Sequence, residues 1–507
     1  MMKSPQAFWK LFKKKKSTTE TDHRKKSEIG EQVRPGTSAK SQDLTEKSPS
    51  ILRKKREKVH IQVGLDFGTS ATKVAFSQIG RRPFRALNFD HKLPHYPPYC
   101  IPSIGCIGEN SRLLLGVSAA RSLLNKEWDT GLQRLKVVVA GKYDSSFKDS
   151  LTEEKYYDHF KAHKRRPIAP EMLTAVFLAY VIRNTRKIIK NLPEYRKLDL
   201  DFAFNICMPI DHVENSSLKS VFERIFAWAE LIENEWDKSD KVFDPLKAAH
   251  LLENRLINKD SKIFAVPEAV ASFASYLVSL RKREGLHAVV DLGAGTTDLS
   301  ICNLFLDTGK IKNYWYAARN LPRGTIRIER ALAQSVAQLS GQNSCTSNDI
   351  CECLDSLSST WTKGKKSQKT IKLNSVVFKE LCDLRDSREY KQTWASAYRH
   401  REKDYLWKDV EVFACGGGSN FPHIDKAFSK PWWPNLNTKY RVSKLPVPDN
   451  YDPGKSRAPF ERMSVAYGLA IPYPQLDEFT LPKDCPDHTP ESPPIKILDH
   501  EELYPKD

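Results

Sequence analysis

No stretch of the 507 residues approaches the ~18 consecutive apolar positions that a membrane-crossing helix needs, so no transmembrane segment is expected. The lysines near the start are followed by no apolar signal region, and secretion is not expected. The ten cysteines lack the spacing of a small disulfide scaffold, and a chain of this size needs no covalent staples. Reduced thiols in a cytoplasmic protein are the expectation. Cys345, Cys351, Cys353 and Cys382 match no common zinc-ligand spacing. Acidic residues are also short: 62 Asp and Glu face 81 Lys and Arg, for a net charge of +19. The shortfall is local, since residues 1–60 hold seventeen Lys/Arg and seven Asp/Glu, a surplus of +10. That tail lacks the interleaved aromatics of a single-strand stacking surface, so nucleic acid is not an expected partner.

What is present fits a folded α/β protein too long for one core. Residues 1–58 read as a disordered basic tail, rich in Lys, Ser, Thr and Glu. Within it, Ala7 to Phe12 followed by Lys13 to Lys16 has the make-up of a weak interfacial anchor, which would place the protein peripherally at a membrane. The simpler reading is a solvated tail, and the run Arg53 to Arg56 reads as a linker or a nuclear signal. The first lobe is expected over 59–285 and the second, with a closing helix, over 286–472. A Pro-rich flexible tail covers 473–507. Strands around Ile61–Phe76, Phe202–Met208 and Val410–Ala414 alternate with helices after Pro170, Ser216, Pro267 and Gly324, which argues for α/β layers.

One pattern occurs twice. Val63 to Val74 and Val289 to Leu299 each read as an apolar strand, an aspartate, a Gly/Thr turn and a second apolar strand. Glycines let a backbone approach a polyphosphate closely, its N–H groups and nearby hydroxyls donate to phosphate oxygens, and an aspartate can hold the accompanying cation through water. Either copy alone is an ordinary hairpin. Two copies in one chain point to a nucleotide site.

With three further segments in the same order, the chain resembles the ATPase superfamily of actin, the 70-kDa heat-shock chaperones and the sugar kinases. The two turns are similar to its phosphate segments, and Val412 to Ser419 to its adenosine segment. Pro267 to Tyr276 and Ser464 to Ala470 resemble its two inter-lobe helices. The heat-shock branch is the nearest likeness: Phe202 to Pro209 with the Ser216 helix, and also Val376 to Leu381, resemble its segments, but no peptide-binding domain is recognisable. The resemblance implies a two-lobed actin-like fold, a duplicated ribonuclease-H-like architecture with the nucleotide between lobes.

It also implies roles for individual residues. Asp66 and Asp291 would anchor hydrated Mg²⁺, and Gly68, Thr69 and Ser70 would hold the β-phosphate. Gly293, Gly295, Thr296 and Thr297 would face the γ-phosphate, with Gly416, Gly417, Gly418 and Ser419 at the adenosine. Lys73 matches a phosphate lysine of the actin branch, and Asp298 would orient the attacking water. The family's glutamate before the inter-lobe proline is Val266 here; Glu268 is the substitute, although two residues on it is expected to point elsewhere. Side chains around the adenine are expected among 324–365.

The implied function is an ATP-hydrolysing conformational switch using ATP/ADP and Mg²⁺ and acting on a protein client or partner. A nucleotide-dependent filament former, which self-assembles, and a nucleotide-binding scaffold with little turnover are the alternatives. A small-molecule kinase is disfavoured, because no sugar-kinase acceptor signature is present.

Overall fold

The computed structural model describes residues 57–485 except 82, 95, 110, 125–130, 239–261, 308–309, 341–367, 401–403 and 473–478. The basic segments at 7–16 and 53–56, Cys345, Cys351, Cys353 and the chain beyond 485 lie outside the described residues.

The described strands are β1 (Lys58–Asp66), β2 (Ala71–Gln78), β3 (Phe84–Ala86), β4 (Cys100–Pro102), β5 (Gly105–Ile107), β6 (Leu113–Leu115), β7 (Asp199–Met208), β8 (Ile263–Pro267), β9 (Gly285–Leu292), β10 (Thr297–Asp307), β11 (Lys310–Leu321), β12 (Glu411–Cys415), β13 (Arg441–Lys444), β14 (Tyr451–Asp452) and β15 (Phe479–Thr480). The helices that matter for the site are α1 (Leu135–Tyr143), α2 (Ser150–Ala162), α3 (Pro170–Asn191), α4 (Ser216–Lys238), α5 (Glu268–Leu277), α6 (Thr325–Ser340), α7 (Gln368–Arg385), α8 (Arg388–Tyr398) and α9 (Phe460–Ala470).

Two mixed sheets carry the molecule. The first runs β14-β3-β2-β1-β7-β8, with β4 also on β2, and the second runs β13-β12-β9-β10-β11-β15. In each, a hairpin (β1–β2, β9–β10) continues antiparallel into a third strand. Two later strands then add in parallel on the other side of the hairpin's first strand. Both sheets therefore share the order 3-2-1-4-5 and the same strand directions.

Local sequence explains the flanking helices. α3 starts with Pro170, whose ring presets the helical φ and whose missing N–H costs nothing there. It ends where Pro193 disfavours helix at Leu192. Leu173, Phe177 and Val181 are fully buried, each contributing roughly 1.5–3 kcal/mol of burial. α4 is capped by Asn215, whose side-chain oxygen accepts from the amides of Ser217 (3.1 Å) and Leu218 (3.3 Å).

α5 and α9 lie in the core between the sheets. A Cβ on Gly468 of α9 would come within 1.9 Å of the Ala271 carbonyl of α5, so their backbones touch. The carbonyls that end α9 are taken up by side chains of the first sheet: Ser77 Oγ donates to Ala470 (2.9 Å) and Asn205 Nδ2 to Leu469 (2.8 Å).

Two expectations about organisation change. Within 286–472, Tyr451–Asp452 (β14) crosses back to pair with β3 of the first sheet. Within the supposed flexible tail 473–507, Phe479–Thr480 form a parallel edge strand on Asn313–Tyr314, and Cys485 lies against the Trp315 carbonyl. The apolar side chains of Phe479 and Leu481 pack on the inter-sheet core, and that burial fixes the segment.

Candidate functional site

The two Gly/Thr turns close the hairpins β1–β2 and β9–β10. In the first, the register places Lys73 opposite Asp66; in the second, it places Asp298 opposite Asp291. The turns are held differently. Ser103, just after β4, donates its hydroxyl to the Gly68 carbonyl (2.8 Å) and its amide to Ser70 (2.9 Å). The second turn rests on the start of α6, where the amides of Thr325 and Ile326 donate to the Gly293 and Ala294 carbonyls, both at 3.0 Å. Thr297 was expected to face phosphate, but its hydroxyl is committed to the Arg323 carbonyl at 2.6 Å. As the first residue of β10, it points its side chain at the crossover into α6.

The turns come from separate sheets and meet. A Cβ on Gly295 would lie 2.8 Å from Thr69 Cγ2 and 2.7 Å from Val137 Cγ2, so only glycine permits this approach. Gly416, after β12, has φ +81°, and a Cβ there would fall 2.2 Å from Asp291 Oδ1. Ser419 folds back, its hydroxyl donating to the Gly416 carbonyl at 2.8 Å. Gly418 is tight against Leu292, whereas Gly417 faces open space. The Gly-Gly-Ser segment is thus seated directly against the second aspartate.

Asp66, Glu268 and Asp291 are buried together. Ligand atoms of Asp66, Cys207 and Glu268 lie within 4.8 Å of one another, and the Glu268 and Asp66 charges both act on Asp291. Glu268 therefore does not point elsewhere. As the first residue of α5, directly after Pro267, its carboxylate turns into the cluster and accepts from Lys136 Nζ at 2.8 Å.

Two lysines offset these acids. Lys73 pairs with Asp66. Burial pulls its ammonium down, but the adjoining Asp66 carboxylate outweighs that and holds it above the ordinary lysine value. Lys136 is held up in the same way, against burial, chiefly by Glu268. Burial, then the Glu268 and Asp66 charges, push Asp291 up to about 7. Asp298 accepts from Asn320 Nδ2 at 3.0 and 3.2 Å. Burial holds the Cys207 and Cys415 thiols well above the usual range, so they stay protonated beside Asp66 and Asp291.

This donor set fits a hard, hydrated divalent cation: carboxylates from two sheets supply oxygen, while the protonated thiols offer little. The glycine cradles that a Cβ would fill fit a closely approaching phosphate chain. Beside the second turn opens a cleft of about 430 Å³ between the α1–α2 region and the start of α6. Arg134, Lys148, Arg323, Arg327 and Arg330 line it, with Asp149 and Glu389 as its acids. Residues 341–365, part of the range expected around adenine, lie outside the described residues.

Sequence reading missed Lys136, Cys207, Asn320 and the cleft arginines. Lys136 did leave a signal, as the one charge in the apolar run Leu135 to Val139. Asn320 is an ordinary polar residue in a strand, and nothing short-range marks it.

No family model matches the chain, and no curated protein matches it as a relative. It is a mixed α/β protein in which no described helix is long and apolar enough to cross a membrane.

Proposed function

We propose that the chain is a Mg-ATP-binding and ATP-hydrolysing conformational switch on a two-lobed, actin-like fold, resembling the ATPase domain of the 70-kDa heat-shock chaperones. The observation that carries this reading is the meeting of two hairpins from two sheets of equal strand order, at Thr69 and Gly295, over Asp66, Glu268 and Asp291.

Asp66 and Asp291 are the residues that would hold Mg²⁺ through its water shell, and the ion would supply charge neutralisation to the phosphates. The turn amides at 69–70 and 294–296 would donate toward phosphate oxygens, those of Gly68 and Gly293 being taken by the Asp66 and Asp291 carbonyls, and Thr69, Ser70 and Thr296 would add hydroxyls. Lys136, buried, and Lys73, half-buried, bring two ammonium groups to the same cluster, so phosphate charge would be met by fixed groups rather than by water. Asp298, at the second turn, would orient the attacking water, and Glu268 would accept its proton. α5 and α9, packed backbone to backbone between the sheets, form the joint about which the sheets would close. Gly416 to Ser419 would accept the adenosine.

The test is ATP turnover per subunit on the full chain across a range of protein concentrations, with Asp291→Ala as control. A flat rate that collapses in the control supports an isolated switch acting on a protein partner. Turnover that appears only above a threshold concentration favours the self-assembling alternative. Saturable binding without turnover would overturn hydrolysis and leave a nucleotide-dependent scaffold.

A further inference from the structure

The 430 Å³ cleft beside the second turn is unlike the buried acid cluster it adjoins. Its lining holds five cationic side chains and two acids. Three of the cations are spoken for: Arg330 pairs with Asp149 at 3.2 Å, Arg134 approaches the same carboxylate at 3.9 Å, and Arg327 pairs with Glu380 at 2.8 Å. Two have no hydrogen-bond or ion-pair partner among the described residues: the half-buried Arg323 and the exposed Lys148, which come from the two sides of the cleft. Arg323 is held in place by its backbone, because its carbonyl accepts the Thr297 hydroxyl at 2.6 Å. Gly295 and Thr296 of the second turn also line the cleft.

From this we infer that the cleft is an oxyanion seat, bordering the second turn but distinct from the Asp66, Glu268 and Asp291 cluster, that takes inorganic phosphate between Arg323 and Lys148. A guanidinium fork and an ammonium lining one cleft suit a tetrahedral, doubly charged oxyanion. Arg134 and Arg330, tied to Asp149, raise the local potential without needing to touch the ligand. The seat's use as a station for phosphate released from a nucleotide rests on the function proposed above; its affinity for phosphate does not.

The experiment is calorimetric titration of inorganic phosphate into the nucleotide-free full chain at low ionic strength. The variants are Arg323→Gln/Lys148→Gln, the charge-matched control Lys187→Gln/Lys190→Gln on the exposed side of α3, and Asp291→Ala. Saturable phosphate binding that weakens about tenfold or more in Arg323→Gln/Lys148→Gln and is unchanged in the α3 control supports the seat, a loss in line with two charge-assisted hydrogen bonds. Equal weakening in both double variants would mean diffuse attraction and overturn it. So would phosphate binding that appears only when Mg²⁺ is added and is lost in Asp291→Ala, since the phosphate would then be sitting with the cation in the hairpin cluster. Absence of phosphate binding to a folded wild-type chain also overturns it. A parallel titration with Mg-ADP reads the nucleotide site alone: failure there with phosphate binding intact removes the proposed function and leaves the seat standing.

Discussion

The two hairpins occupy the same place in their sheets and carry opposite electrostatics. Seven residues after its aspartate, the first places Lys73 across the strand; the second places Asp298 there. The first aspartate is neutralised within its own hairpin. The second has an acid across the strand instead of a lysine, and burial with the Glu268 and Asp66 charges pushes it up to about 7. A repeated backbone motif thus yields one self-neutralised half and one half that is short of positive charge. That asymmetry is what a polyphosphate-bound cation would relieve, because a divalent ion lodged near Asp291 removes the repulsion that Lys73 already removes at Asp66.

The largest effect should come from breaking the self-neutralised half. Lys73→Met leaves Asp66 buried without its cation and is expected to cost about 3–5 kcal/mol, read by urea denaturation. A loss under about 1 kcal/mol would show that the pair is not what neutralises Asp66. Gly416→Ala comes next. Its Cβ would strike the Asp291 carboxylate at a left-handed backbone position, for a loss of about 2–3 kcal/mol. Gly417→Ala, next door in open space, should stay within about 0.5 kcal/mol, and equal losses at the two sites would break the argument.

Asp291→Asn sharpens the comparison through pH. An acid whose folded value is raised binds its proton more tightly folded than unfolded, so wild-type stability should fall as pH rises from about 4 to about 7 and then level off. The variant should lose that slope and be more stable than wild type at pH 8. Thermal melts across pH 5–8 decide this, and an unchanged slope would assign the titration elsewhere. A small effect is also expected for Asp298→Asn. It removes a charge that supports Lys136 but keeps an oxygen to accept from Asn320, so stability should move by less than about 1 kcal/mol.

Much of this was readable beforehand, and the exceptions share a cause. The hairpins, the helix after Pro170 and the segment running into Gly416 are local patterns of alternation, glycine and proline, and they form where the pattern places them. Glu268 was misjudged because its direction depends on how the start of α5 meets β8 and Lys136, 132 residues away in sequence. Tyr451–Asp452 and Phe479–Thr480 are two-residue strands, too short to show a period; only a waiting sheet edge defines them. The cleft arginines are ordinary surface cations until α1, α2 and α6 gather them.

By itself the sequence determined the two turns and their internal chemistry. A hairpin's register and the residue facing each aspartate follow from spacings of seven residues and from glycine's freedom to turn. The tertiary structure decided everything that required those turns to meet: the contact of Thr69 with Gly295, the enclosure of Asp66, Glu268 and Asp291 in one buried cluster, and the rise of Asp291. Those outcomes depend on two separate sheets being clamped by α5 and α9 at distances of one or two atoms, which packing sets and short-range pattern cannot.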